Sequence, residues 1–275
     1  MTVGTGPFGK TPSGVFNRAL PETKGLIYFE DFPRRIRAEL AGETVVDSRH
    51  AKLLHEAGLL PVLYFPADEV RTDLFHPSDK ASHCPWKGEA SYWSVDVNGH
   101  TVEDAVWEYR EPNEDAPPIK GYFSFFWNKM DRWLEEDEEL HGHVRDPYHR
   151  VDVLESSRHV KVSLGGVLLA ETKRPKALFE TGLPTRWYIP PEDVKLDLLE
   201  TSPTKTVCAY KGQASTFSLR LNGEVEKDMV WSYADPNRDV DRIRGHFCFY
   251  NEFLDIEVDG EPQERPQSPF SKRPN

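Results

Sequence analysis

The sequence predicts a mainly β protein: two homologous, compact antiparallel β domains in tandem, with few short helices. Three observations carry this. A constant shift of 124 residues places Cys84 on Cys208 and aligns about 33 identities over roughly 100 positions without a gap. Two Asn-Gly dipeptides, Asn98-Gly99 and Asn222-Gly223, fall in the same register between apolar-rich segments. Long runs with helical periodicity are scarce. A period of this length is too long for a solenoid unit and reads as a duplicated domain.

Each copy opens with a short alternating strand, Arg34–Leu40 and His159–Leu164. Gly42 and Gly166 mark a turn, and Val45-Val46 and Leu168-Leu169 begin a second strand. Pro66–Val70 and Pro190–Val194 read as single turns, with acids near a positive helix end. Asn-Gly accepts positive φ at both central positions of a type I′ turn, so Ser91–Val97 and Thr101–Tyr109 are predicted as hairpin arms. The Pro-rich loop Glu111–Pro118 returns the chain to a last strand near Gly121–Phe126. Between the copies, Asn128–Leu140 is predicted as a helix, with Met130, Trp133 and Leu134 on one face. The predicted organisation is an arm (1–25), a first repeat (26–133), an acidic linker (134–141), a second repeat (142–258) and a flexible tail (259–275).

The net charge of −12 gives nucleic acid a low prior as a partner. No apolar run approaches the roughly 18 residues a membrane helix needs, and the first residues carry no apolar core of a secretory signal. Three cysteines make a disulfide scaffold improbable and a reducing, cytoplasmic setting the default. The sequence leaves the oligomeric state open. There is no C-x-x-C, and His83 and His76 are replaced by Val207 and Glu200 in the second copy, so no metal and no cofactor is expected.

The repeated constellation E-x-G-L, Y-[FI]-P-x-x-[DE]-V, C-x-x-K-G-x-A-S and W-x-Y-x-x-P-N resembles the family known as domain of unknown function 427. "FETGLPTRWYIPPEDV" (179–194) is especially close to that pattern. The resemblance spans about residues 26–133 and 142–258 and implies two antiparallel β domains of about 100 residues. It also brings a nucleotidyltransferase-like label. That chemistry needs paired carboxylates to hold divalent metal against a triphosphate. Here Gly165-Gly166 leads to Pro175-Lys176-Ala177, with no acid-apolar-acid strand, and the counterpart of the loop stretch Asp239-Val240-Asp241 in the first copy is Asp115-Ala116-Pro117. These residues do not support the label.

Two equivalent sets of chemically capable side chains remain. Cys84 and Cys208 are either small buried thiols or nucleophiles activated by Lys87 and Lys211. The lysines are either turn residues or cations at a pocket mouth. Glu56 and Glu180 are turn residues, partners of those lysines, or general bases. Tyr64, Trp93, Trp107 and Tyr109, with Tyr188, Arg186, Trp231 and Tyr233, are either core or the wall of a small-molecule pocket. The functional expectation is a pocket in one or both repeats for a small anionic or carbonyl-bearing metabolite. An enzyme using the Glu-Lys-Cys group and a plain structural scaffold are the alternatives.

Overall fold

A computed structural model describes residues 14–18 and 24–272. Most of the arm expected over 1–25, and the last three residues of the tail, lie outside the described residues. The first repeat holds eleven strands: β1 (Ile27–Asp31), β2 (Ile36–Leu40), β3 (Glu43–Ser48), β4 (Lys52–Glu56), β5 (Val62–Pro66), β6 (Phe75–Cys84), β7 (Gly88–Val97), β8 (His100–Glu108), β9 (Tyr122–Phe125), β10 (Arg132–Glu135) and β11 (Glu138–Leu140). The second holds β12 (Val151–Glu155), β13 (Val160–Leu164), β14 (Val167–Thr172), β15 (Lys176–Glu180), β16 (Arg186–Ile189), β17 (Leu199–Cys208), β18 (Gly212–Leu221), β19 (Glu224–Ser232), β20 (Phe247–Phe249), β21 (Asp255–Val258) and β22 (Glu261–Pro262).

Strand order is the same in both repeats. A seven-stranded antiparallel sheet runs β1-β4-β5-β9-β8-β7-β6 in the first and β12-β15-β16-β20-β19-β18-β17 in the second. A four-stranded sheet runs β11-β10-β2-β3 and, correspondingly, β22-β21-β13-β14. The Asn-Gly pairs sit at hairpin tips with positive φ at both residues, 54° and 80° in the first repeat. Only short 3-10 turns interrupt the strands, such as Ala67–Glu69 and Pro191–Asp193, where single turns were expected. No helix among the described residues is long and apolar enough to cross a membrane.

Residues 127–140 depart from expectation. They form a 3-10 turn and the β10–β11 hairpin rather than a helix. Trp133 and Leu134 are buried on opposite faces of β10, Leu140 is buried in β11, and Glu136 turns the chain at φ 52°. The acidic run answers the basic residues ahead of and along β2. Glu135 pairs with Arg34, Glu136 accepts the Arg35 backbone N–H at 3.0 Å, and Asp137 accepts from Arg37 at 2.8 Å. A stretch that reads as a solvated linker is therefore an edge of the first repeat's smaller sheet.

Each repeat buries two cores. One lies between the sheets: Ile36, Leu40 and Val46 of the small sheet meet Leu53, Phe65 and Val106 of the large one. The other covers the outer face of the large sheet, where Leu54, Tyr64, Ala90 and Tyr109 are closed over by Ile119 of the Pro-rich loop. Val240 and Ile243 close the second repeat in the same way. The long edge strands β6 and β17 are mostly exposed, and their pairing slips between Pro77 and Ala81 and between Thr201 and Lys205.

Candidate functional site

The repeated motifs meet on the outer face of each large sheet. Glu56 ends β4 and Glu180 ends β15, opposite Ile27 and Val151. Lys87 and Lys211 sit in the turns between β6 and β7 and between β17 and β18. Lys87 Nζ donates to Glu56, and Lys211 Nζ donates to Glu180 Oε2 at 2.6 Å. Both lysines are buried, 8 % exposed, which neither an exposed turn residue nor a free cation at a pocket mouth would be. The stems lie on the second core, with Lys87 Nζ 5.8 Å from the Tyr109 ring centroid.

The other motif residues fix the same turn. Asn113 donates its side-chain N–H to Pro85 O at 3.0 Å, and its backbone N–H to Lys87 O at 3.1 Å. Asn237 repeats both bonds with Ala209 and Lys211, each at 3.1 Å. Gly88 and Gly212 have φ of 100° and 94°, a region side chains rarely adopt. A Cβ on Gly88 would also lie 3.1 Å from Asn113 Oδ1. The C-x-x-K-G and P-N motifs thus build one cross-linked corner.

Electrostatics follow from burial. At Glu180 desolvation pushes the carboxyl up, but hydrogen bonds from His149 (3.1 Å) and Lys211 outweigh it and hold the group below the usual carboxylate range. Burial raises the Tyr64, Tyr109, Tyr188 and Tyr233 phenols, so all four stay neutral. Trp231 Nε1 donates to Tyr188 Oη at 3.0 Å. All three thiols are unpaired. Cys84 and Cys208 are half-buried beside their lysine corners, whereas burial pushes the Cys248 thiol up to about 12. Among the described residues no group of three or more His, Cys, Asp or Glu is placed to hold a metal ion.

These distances bring together Glu56, Lys87, Cys84, Tyr64, Trp107 and Tyr109, and likewise Glu180, Lys211, Cys208, Tyr188, Trp231 and Tyr233. Trp93 does not join them. It faces the other way, against Phe75 and Phe123 of the inter-sheet core, and its Nε1 donates to Glu108 at 3.2 Å.

The sequence motif matches the model of the family described as "Domain of unknown function (DUF427)" over residues 28–136 and again over 152–260. The chain belongs to the DUF427 family. Two matches in one chain make it a tandem member, with both repeats carrying the Glu-Lys-Asn corner. No curated protein matches it.

Two cavities lie away from that corner. The larger, about 610 Å³, is an open cleft in the second repeat beside β14 and holds none of the candidate site residues named from the sequence. Its charges answer one another, with His159 on Glu171 at 2.7 Å and Arg174 on Asp193 at 3.3 Å. The smaller, about 160 Å³, belongs to the first repeat and is mostly apolar. Trp107, Phe125, Phe126, Trp127, Trp133 and His143 line it, and Val62 and Val144 help close it. Trp127 and Trp133 stack with centroids 4.6 Å apart, and Trp107 meets Phe126 at 4.7 Å. Of these residues, sequence reasoning reached only Trp107 as a binding candidate. Nothing in their spacing announces a pocket, because they arrive from β5, β8, β9, the 3-10 turn after β9, β10 and the segment after β11.

Proposed function

We propose that the protein binds a small molecule through the aromatic cavity of the first repeat. The observation that carries this reading is the cavity itself: six aromatic side chains, Phe65 among them, around about 160 Å³. A cavity of about 150 Å³ with an apolar lining accepts a molecule the size of benzene, so the ligand presents one ring or a comparably compact apolar group. Its polar end is set by the neighbouring charges. Lys129 Nζ and Lys80 Nζ lie 5.3 and 5.7 Å from the Phe126 ring centroid. Lys80 pairs with Asp104 at 3.4 Å, while Lys129 donates to the Glu103 and Asp104 backbone carbonyls, so these three charges keep a net positive sign and favour a carbonyl or carboxylate over a cation. The Glu56–Lys87 pair then serves as a structural tie behind the pocket rather than as its anchor, since the ammonium is already held by a carboxylate. Unpaired cysteines support a reducing, cytoplasmic setting. The acidic balance speaks against nucleic acid as the partner.

The test is a thermal-shift screen of single-ring carboxylates and cyclic amides, followed by tryptophan fluorescence. A compound that raises the unfolding midpoint and quenches the intrinsic emission, and does neither with Val62→Arg, supports the reading. Binding that survives Val62→Arg places the ligand elsewhere. A panel that shifts nothing at millimolar concentration removes the pocket's claim.

A further inference from the structure

The same place in the second repeat is already filled. Val62 pairs with Leu54 across β4 and β5, and Arg186 pairs with Leu178 across β15 and β16, so the two residues occupy one position of the duplicated fold. The Arg186 guanidinium lies 5.4 Å from the Trp231 ring centroid and 5.8 Å from those of Tyr250 and Phe270. Trp231 and Tyr250 are the counterparts of Trp107 and Phe126, and they contact each other at 4.5 Å much as that pair does at 4.7 Å. Arg186 Nη1 and Nη2 each donate to one oxygen of Glu252 at 2.7 Å, and Asn251 accepts a further bond. The arginine is 7 % exposed and the Glu252 side chain fully buried. Ser268 of the segment after β22 donates to Glu252, and Phe270 lies over the guanidinium. Of the tail expected to be flexible over 259–275, Ser268 and Phe270 are held here, and Glu261–Pro262 pair with β21 as β22.

We infer that Arg186 is a tethered occupant of a guanidinium site, and that the residue at position 62 or 186 decides which repeat is open to a ligand. A planar cation with aromatic faces around it and a bidentate carboxylate at its edge is a complete recognition site for a guanidinium group. The second repeat supplies both halves, host and guest, from one chain. In the first repeat valine withdraws the guest and Asn128 stands in place of Glu252, while Lys80 and Lys129, set against Asp104, leave a net positive charge nearby. The two sites therefore differ in ligand class: the first takes a neutral or anionic ring and the second a guanidinium. The claim for the first repeat rests on the reading given above; the claim for Arg186 does not.

The experiment uses the full chain with Arg186→Ala and methylguanidinium as the probe. Methylguanidinium at about 10 mM is expected to raise the unfolding midpoint of Arg186→Ala and leave that of the parent unchanged. Methylammonium and urea at the same concentration are expected to do nothing. Adding Glu252→Gln to Arg186→Ala should weaken the rescue at least tenfold. If Arg186→Ala does not fold alone, recovery of native far-UV circular dichroism on refolding with methylguanidinium, and not with methylammonium, supports the inference. No rescue in either format overturns it, as does equal rescue in the Glu252→Gln background. Rescue together with a failed ring-compound screen leaves Arg186 as assigned and removes only the reading of the first repeat.

Discussion

Lys211 Nζ and Glu180 Oε2 lie 2.6 Å apart across 31 residues of chain, and His149 takes the carboxylate's other oxygen at 3.1 Å. One buried acid thus ties the turn after β17 to the end of β15 and to the entry of the second repeat. With side-chain exposures of 11 % and 7 %, neither charge can fall back on water if the other is lost.

Acid should expose this tie. The folded Glu180 carboxyl titrates below its ordinary value of 4.5. Its contribution is therefore complete above the unfolded value and is lost as pH falls through the lower folded one. Urea midpoints measured from pH 7 to pH 2.5 are expected to show a gap between parent and Glu180→Gln that is widest above about pH 5 and closes toward the acid end. A gap independent of pH would mean that the carboxylate charge contributes nothing.

Removing the cation tests the same pair from its other side. Lys211→Met strands a buried carboxylate and should cost roughly 3–5 kcal/mol. Lys87→Met should cost less, roughly 1.5–3 kcal/mol, because the Glu56 side chain keeps 20 % of its surface in water. Denaturant unfolding reads both. In a double-mutant cycle, Glu180→Gln with Lys211→Met should recover part of the loss. Two fully additive losses would show that the residues act independently.

Gly88 tests the corner without touching a charge. Gly88→Ala places a Cβ at φ 100° and 3.1 Å from Asn113 Oδ1. The conformational strain alone is on the order of 1–2 kcal/mol, so a lowered thermal midpoint is expected. Gly99→Ala is the contrast. Its φ is also positive, at 80°, but a Cβ there meets nothing within 4 Å, so its loss should be smaller. Equal losses would assign the effect to backbone angle rather than to crowding by Asn113.

The thiols should sort by burial. Cys248 is fully buried and its thiol is pushed up to about 12, so it resists disulfide reagents in the native protein at pH 8. Cys84 and Cys208 are partly exposed and should react. A thiol-reagent titration is expected to count two groups in buffer and three in denaturant. Three fast groups in buffer would show that the second core opens.

Much of this fold is written locally. Asn98-Gly99 and Asn222-Gly223 demand their turns by backbone preference alone, and the 124-residue register carries each inference to its twin. Tertiary requirements are less visible. Met130, Trp133 and Leu134 fit a helical face by spacing, yet the strand pairing of Trp133 with Ala38 decides their structure. The acids after them read as solvated because their partners, Arg34, Arg35 and Arg37, lie about 100 residues earlier. Glu56 and Lys87 were legible as a pair, while their burial was not, since it depends on a loop folding over them. The aromatic cavity was hidden for a related reason: its walls come from six separate segments. One local hint was the exchange of Val62 for Arg186, four residues after the shared Gly58 and Gly182 and two before the shared Tyr64 and Tyr188.

The slipped edges of β6 and β17 bear on how such a chain survives its own synthesis. Two copies of one topology offer each strand two homes, and a nascent first repeat can lend an edge to strands of the second or of another ribosome's product. Open edges invite such theft, because their unpaired amides and carbonyls are ready templates. Here each long edge carries a proline, Pro77 or Pro203, and a lysine, Lys80 or Lys205, within or beside a break in the ladder, from Pro77 to Ala81 in β6 and from Thr201 to Lys205 in β17. Proline cannot donate to an incoming strand, the ammonium resists being covered, and the break spoils the register a newcomer would need. The β6 and β17 edges are thereby poor seeds for polymerisation, which reduces cross-templating between the two copies at these strands.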